Sequence, residues 1–183
     1  VNGVSATVSG SSYTVEIPTI SEGELTITAV ATDLAGNSQN AERTITRDTT
    51  LPVLTNISPV ADSWFNSSTV TITGSVADLN LETVTVDGVA ATVSGSNFSA
   101  TVDLPNEGTN NVEIVATDKA TNATSINLQL NLDTIDPVVA ISAPTDGSFT
   151  NQTNVTVTGE VTEANVSAVE INGVTATISG NSY

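Results

Sequence analysis

Apolar and polar residues alternate along most of this chain, with the two-residue period of half-buried β-strands. Between residues 69 and 77, Val70, Ile72, Gly74 and Val76 occupy one face, and the positions between them carry hydroxyl side chains. Similar short segments recur along the chain, and none shows sustained helical periodicity. One apolar and one polar face per strand predicts two packed antiparallel sheets.

The middle of the chain contains seven or eight predicted strands. They are placed at residues 52–57, 64–65, 69–77, 83–86, 89–93, 98–104, around 112–116, and 126–132. The Asp-Gly pair at 87–88, like the Asn-Gly pairs at 2–3 and 172–173, predicts a tight two-residue hairpin.

The sequence repeats with a constant offset of 85 residues. VNGVSATVSG begins at Val1, VDGVAATVSG at Val86 and INGVTATISG at Ile171, and ATDLAGN at Ala31 is matched by ATDKATN at Ala116. A constant offset indicates tandem duplication of one folding unit. The period, the strand spacing and the lack of helical pattern predict an all-β protein of tandem immunoglobulin-like β-sandwich domains of about 85 residues, arranged as a rod.

Composition narrows the chemistry available to the chain. A net charge of −17 argues against nucleic acid or anionic membrane surfaces as partners, and no apolar run is long enough for membrane insertion of this segment. The sequence has no His and no Cys, which excludes thiol chemistry, His-based acid–base catalysis and ordinary zinc sites. The single lysine, Lys119, falls in a predicted loop, and the carboxylates are spread as on a solvated surface. We therefore expect no enzymatic activity in this chain.

Four segments resemble the bacterial immunoglobulin-like (Big) repeats of extracellular and cell-surface proteins: DTTLP, VTITGSVAD, VTVDGVAATVSGSNFSATVDL and EGTNNVEIVATD. In that class DTTxP opens a domain, and ATDxAGN forms the turn before the last strand. The second copy of the turn has Thr121 in place of glycine, which disfavours left-handed turn geometry there. The resemblance implies a bacterial, extracellular or cell-surface location.

The DTTxP motif also implies domain boundaries that are out of phase with the ends of the sequence. Residues 1–48 are expected to be the C-terminal part of one repeat, residues 49–133 a complete repeat, and residues 134–183 the N-terminal part of the next. Partial sandwiches leave sheet edges uncovered. The expected partners are therefore neighbouring immunoglobulin-like repeats, either of the same chain or of identical chains assembled head to tail.

The resemblance further implies a calcium site. Some repeats of this class bind Ca²⁺ through carboxylates at domain junctions, and carrying this over selects five aspartates: Asp33, Asp48, Asp118, Asp133 and Asp136. Calcium takes six to eight oxygen ligands. The alternative is that each aspartate caps its own turn through the backbone. Asp78 and Glu163 occupy a further pair of equivalent loop positions.

Two other features have a structural and a functional interpretation. Trp64, with Phe149 at the equivalent position of the next copy, is expected to be a core anchor, and a sugar-stacking platform is the alternative. Seven Asn-X-Ser/Thr sequons permit glycosylation on an exported surface, at Asn56, Asn66, Asn97, Asn122, Asn151, Asn154 and Asn165.

These observations predict a non-catalytic spacer segment of a long tandem-repeat extracellular bacterial protein, such as an adhesin-type stalk. One alternative is a subunit of an extracellular filament or sheath, and another is an accessory module of a secreted carbohydrate-active enzyme. Any protein or glycan ligand is expected to bind through other parts of the full-length protein.

Overall fold

The structure is a computed structural model that describes residues 1–17 and 21–179, and the regular elements of this part are all β-strands. They are β1 Thr7–Ser9, β2 Ser12–Thr14, β3 Gly23–Thr32, β4 Ser38–Arg47, β5 Val53–Ser58, β6 Trp64–Phe65, β7 Thr69–Ala77, β8 Leu81–Val86, β9 Val89–Ala90, β10 Thr92–Ser94, β11 Asn97–Asp103, β12 Gly108–Asp118, β13 Ala123–Leu132, β14 Val138–Ala143, β15 Thr158–Thr162, β16 Glu170–Ile171 and β17 Val174–Thr175. In these two ranges no helix could cross a membrane.

Strands β5 to β13 form two sheets that enclose one hydrophobic core, and we call residues 49–133 the middle domain. One sheet has the strand order β10-β11-β7-β5 and the other β6-β13-β12-β8-β9. Both contribute buried side chains, among them Ile72 and Phe98 from the first sheet and Ile114 and Leu130 from the second. The prediction of an immunoglobulin-like β-sandwich is confirmed.

The register of β7 follows the predicted alternation. Val70, Ile72 and Val76 are buried, and the hydroxyl residues between them face outward or lie half-buried. Gly74 belongs to the inward face because β11 packs closely against it. A Cβ atom at this glycine would lie 2.6 Å from the ring of Phe98, so any larger residue would force the Phe98 ring to move.

The predicted single strand at 89–93 is wrong, because the chain changes sheets there. β9 pairs with β8 in the five-stranded sheet, whereas β10 pairs with β11 in the four-stranded sheet. Between them, the Ala91 N–H donates to the Val84 carbonyl at 2.9 Å. The predicted hairpin turn before β9 is confirmed, since Asp87 and Gly88 have φ values of 46° and 75°.

The expectation that Trp64 anchors the core is wrong. Its side chain is 54% exposed, and the neighbouring Phe65 packs against the core instead. Successive strand residues point to opposite faces, so the two-residue strand β6 turns only one of its aromatic rings inward. Phe149 is also exposed.

The flanking segments contain strands at positions equivalent to those of the middle domain, but among the described residues each of their sheets has only two strands. β1–β2 and β3–β4 pair within residues 1–47, and β14–β15 and β16–β17 pair within residues 138–175. Val139 is 58% exposed, whereas its equivalent Leu54 is 9% exposed. The division into one complete and two partial domains stays a prediction.

Candidate domain-junction site

Three carboxylates meet where the linker after β4 contacts two loops of the middle domain. Asp48 lies in the linker, Asp78 follows β7, and Asp118 ends β12. Each contributes an oxygen, and these oxygens lie within 4.8 Å of one another. Asp118 is buried, and the other two are half-buried. In the part of the chain that the structure describes, no other group of three or more His, Cys, Asp or Glu side chains is arranged to hold a metal ion.

Asn122 joins the turn that contains Asp118 to the linker. Its backbone N–H donates to Asp118 Oδ1 at 2.8 Å, and its Nδ2 group donates to Asp118 Oδ2 at 2.7 Å. The same Nδ2 group also donates to the Asp48 carbonyl at 3.0 Å. The equivalent turn at Asp33 has the matching bonds from Asn37, at 2.8 and 2.7 Å. The motif D-x-x-x-N therefore builds one turn geometry at both places.

Asp48 accepts hydrogen bonds with both carboxylate oxygens. The Asn80 Nδ2 group donates to Oδ2 at 2.6 Å, and the Thr50 N–H donates to Oδ1 at 2.9 Å. These donors, Asn80 first, lower the pKa of Asp48 below its ordinary value. The Asn37 side chain likewise lowers the pKa of Asp33. Because both pKa values are lowered, any stability that the two carboxylates contribute is present at neutral pH and is lost as the pH falls into the acidic range.

The structure brings together two of the five predicted ligand residues, Asp48 and Asp118. The third member of the cluster is Asp78, which the sequence had marked only as an equivalent loop position. One sequence signal links this loop to the linker. It is the D-x-N spacing of Asp78 and Asn80, which recurs as E-x-N at Glu163 and Asn165.

The other three predicted ligands lie elsewhere. Asp33 caps the equivalent turn before β4. Asp133 lies at the next junction, where it accepts from Asn165 at 3.0 Å, and Asp136 is exposed. Turn capping, the alternative to metal binding, describes the backbone contacts of Asp33, Asp48, Asp118 and Asp133. Metal binding by any of the five stays a prediction.

The cluster has the donor chemistry that calcium prefers. Three carboxylates supply oxygen ligands, but Asn80 and Asn122 now direct NH₂ groups at two of them. Calcium accepts only oxygen in such a site. Each carboxylate has about four lone-pair sites, so Asp48 and Asp118 can accept the amide hydrogen bonds and still offer an oxygen to the ion. The two asparagines would then orient the ligating carboxylates as hydrogen-bond donors.

Calcium binding is expected to raise the melting temperature of the chain. A ligand that binds only the folded state at one hundred times its Kd adds about 2.7 kcal/mol to the free energy of unfolding. Melting should thus occur at a higher temperature in millimolar calcium than in chelator. Asp78→Asn should abolish the difference, and the exposed Asp103→Asn should leave it unchanged. Identical curves for the parent chain in calcium and in chelator would show that the cluster holds no calcium.

The turn at Thr121 is left-handed, contrary to the expectation from its side chain. Thr121 has a φ of 70°, close to the 90° of its equivalent Gly36. Its N–H donates to the Asp118 carbonyl at 3.2 Å, the same contact that Gly36 makes with Asp33 at 3.1 Å. Together with the bonds of Asn122, this contact holds a β-branched residue in a conformation that such residues avoid.

Thr121→Gly is therefore expected to stabilise the middle domain. A left-handed conformation costs an L-residue about 1–2 kcal/mol, and glycine removes that cost while adding some unfolded-state entropy. We expect a net gain of about 1 kcal/mol in the free energy of unfolding, measured by urea denaturation. Ala120→Gly, one residue earlier, is the control and should destabilise slightly. A loss of stability in Thr121→Gly would mean that the threonine side chain makes a stabilising contact.

Comparison with known proteins places this chain among extracellular immunoglobulin-like domains. The family model described as glucodextranase, domain B, matches residues 52–134 and again residues 137–183. Bacillopeptidase F of Bacillus subtilis (strain 168) is 36% identical over 119 residues, which make up 65% of this chain and 8% of that protein. These similarities support an extracellular immunoglobulin-like domain without singling out the Big class.

Proposed function

Because this chain belongs to the glucodextranase domain B family, we propose that it is a non-catalytic accessory segment of a larger secreted hydrolase. The observation that carries the proposal is the pair of successive family matches, one over the middle domain and one directly after it. The family takes its name from one domain of an enzyme. A match over the whole middle domain followed by a shorter one fits a segment that spaces or orients other parts of a protein.

The size relation to the relative supports a role as part of a larger protein. The chain spans only 8% of the length of Bacillopeptidase F. One similarity is to a domain of a glucodextranase and the other to a bacillopeptidase, so this type of domain is associated with more than one kind of hydrolase. A spacer role is compatible with either, because it needs no contact with the substrate.

The residues of the junction site also favour a non-catalytic role. Asp118 is buried and accepts two hydrogen bonds from Asn122, and Asp48 accepts from Asn80 and Thr50. These carboxylates hold loops and the linker together. A general acid or base needs a carboxyl group that can reach a substrate proton, whereas these carboxylates are engaged by neighbouring residues.

The comparisons favour the accessory-module alternative over the adhesin-type stalk and the filament. The high negative charge suits a secreted location, since it keeps a tandem-domain segment soluble and prevents close association of copies. We propose that the segment extends as a rod between other domains of the secreted protein.

Two measurements test this function. The purified chain should hydrolyse neither a dextran-type glucan nor casein. Mass spectrometry of culture medium from the source bacterium should assign peptides of this chain to a protein of much higher mass that also contains a hydrolase domain. Recovery of these peptides from a surface protein without a catalytic domain would favour the adhesin-type stalk, and recovery from isolated fibres would favour the filament.

A further inference from the structure

The dipeptide that follows the last strand of a domain is bound from both sides. The first junction is Asp48-Thr49 and the second is Asp133-Thr134, 85 residues later. At each junction a glutamate from the preceding segment binds the threonine, and an asparagine from the following segment binds the aspartate. We propose that this dipeptide is an interdomain clasp, a recognition surface through which each repeat fixes the orientation of the next one.

The glutamate side of the clasp has the same contacts at both junctions. The Glu22 carboxylate accepts from the Thr49 N–H at 2.6 Å and from the Thr49 hydroxyl at 3.0 Å. The Glu107 carboxylate accepts from the Thr134 N–H at 3.0 Å and from the Thr134 hydroxyl. Each glutamate directly precedes a long strand of its own segment, β3 or β12. The bonds are charge-assisted, which makes them stronger than bonds between neutral groups.

The asparagine side of the clasp is also repeated. The Asn80 Nδ2 group donates to Asp48 Oδ2 at 2.6 Å, and the Asn165 Nδ2 group donates to Asp133 Oδ2 at 3.0 Å. In both aspartates the remaining oxygen, Oδ1, accepts from a backbone N–H two residues later. One oxygen thus shapes the linker, and the other binds the following segment.

The contacts persist although their neighbours differ between the junctions. Arg47 forms an ion pair with Glu22 at 2.7 Å, but the equivalent position is Leu132. Thr50 corresponds to Ile135. The contacts that recur at both places are those of the glutamate, the dipeptide and the asparagine, which indicates that these four residue types form the functional unit.

A linker held on both sides has little freedom to act as a hinge. The clasp closes over sequence separations of 27 residues on the glutamate side and 32 on the asparagine side. Domains joined by an unattached linker are expected to move relative to one another. The clasp opposes that motion, so successive repeats behave as one stiff unit. This inference deepens the proposed spacer role. The clasp itself does not rest on that role, but its biological purpose does, because a stiff spacer sets a fixed distance.

Hydrogen exchange of the threonine amides in the 183-residue chain tests the clasp directly. Glu107→Ala should accelerate exchange of the Thr134 amide by about 10- to 100-fold and leave the Thr49 amide unchanged. Glu22→Ala should give the reverse result, so each junction is the control for the other. Glu113→Ala, an exposed glutamate on β12, should affect neither amide.

The effect on orientation is measured by residual dipolar couplings. In the parent chain, one alignment tensor should fit both the middle domain and the β14–β15 hairpin. Glu107→Ala combined with Asn165→Ala should reduce the couplings of the hairpin alone. Glu107→Gln keeps one acceptor oxygen and should therefore retain part of the protection of the Thr134 amide from exchange. An unchanged exchange rate of the Ile114 amide shows that the core remains folded.

Two results would overturn the clasp. One is unchanged exchange of Thr134 in Glu107→Ala, and the other is independent averaging of the β14–β15 couplings already in the parent chain. Failure of the proposed function would be detected differently, by hydrolysis of a substrate or by the identity of the larger protein. Neither of those findings changes the exchange rate of a junction amide.

Discussion

Ile72→Ala is expected to lower the free energy of unfolding of the middle domain by about 2–5 kcal/mol. Ile72 is completely buried on β7, which pairs with β11 on one side and β5 on the other. Truncation removes apolar contacts and leaves a cavity that a sheet paired on both sides cannot collapse to fill. Urea or thermal denaturation followed by circular dichroism gives the change.

Thr71→Ala is the matched control, because it alters the adjacent residue on the opposite face of the same strand. Thr71 is exposed, and its hydroxyl lies 2.9 Å from that of Thr101 across the strand pair. Loss of this surface contact is expected to cost within about 0.5 kcal/mol. A cost for Thr71→Ala equal to or above that for Ile72→Ala would mean that the inward and outward faces of β7 are reversed.

The fold was predictable because its signals are local. The alternation through Val70 and Ile72 fixes which face of β7 points inward, and Asp87-Gly88 fixes the hairpin that follows β8. Repetition at 85 residues then extends the interpretation of one domain to the whole chain. For the alternation and the turn, the physical cause lies within a few residues of the pattern.

The features that were missed depend on contacts across the fold. The break at Ala91 arises because the chain passes from one sheet to the other, which no local pattern reports. Thr121 keeps a left-handed turn because Asn122 ties that turn to Asp118 and to the linker at Asp48. The intrinsic backbone preference of threonine alone disfavours this turn.

The junction site was half predictable for the same reason. Asp48 and Asp118 stand out in repeated motifs at a boundary and in a turn. Asp78 joins them only because the loop between β7 and β8 folds towards the linker, where Asn80 reaches Asp48 over 32 residues of sequence. Likewise, the roles of Glu22 and Glu107 at the junctions follow from the position of the linker beside β3 and β12.

Two fragments of nearly equal length should differ completely in folding. A fragment of residues 48–133 contains β5 to β13 and therefore both sheets of the sandwich with all its core residues. We expect it to be a monomer that unfolds in one cooperative transition, as small single domains usually do. It also retains the cluster of Asp48, Asp78 and Asp118, so the calcium experiment can be repeated on it.

A fragment of residues 1–85 joins the end of one predicted domain to the beginning of the next. It contains β5 and β7 without β11, and most of β8 without β12, so the pairing edges of β7 and β8 are left open. Ile72 and Val84, both buried in the intact domain, would lose the strands that cover them. We expect this fragment to be unfolded, to aggregate, or to pair with copies of itself through open strand edges. Circular dichroism, melting and size-exclusion chromatography distinguish these outcomes. A stable, monomeric 1–85 beside an unfolded 48–133 would place the start of the domain at the Asn-Gly hairpin, and the boundary at DTTLP would be wrong.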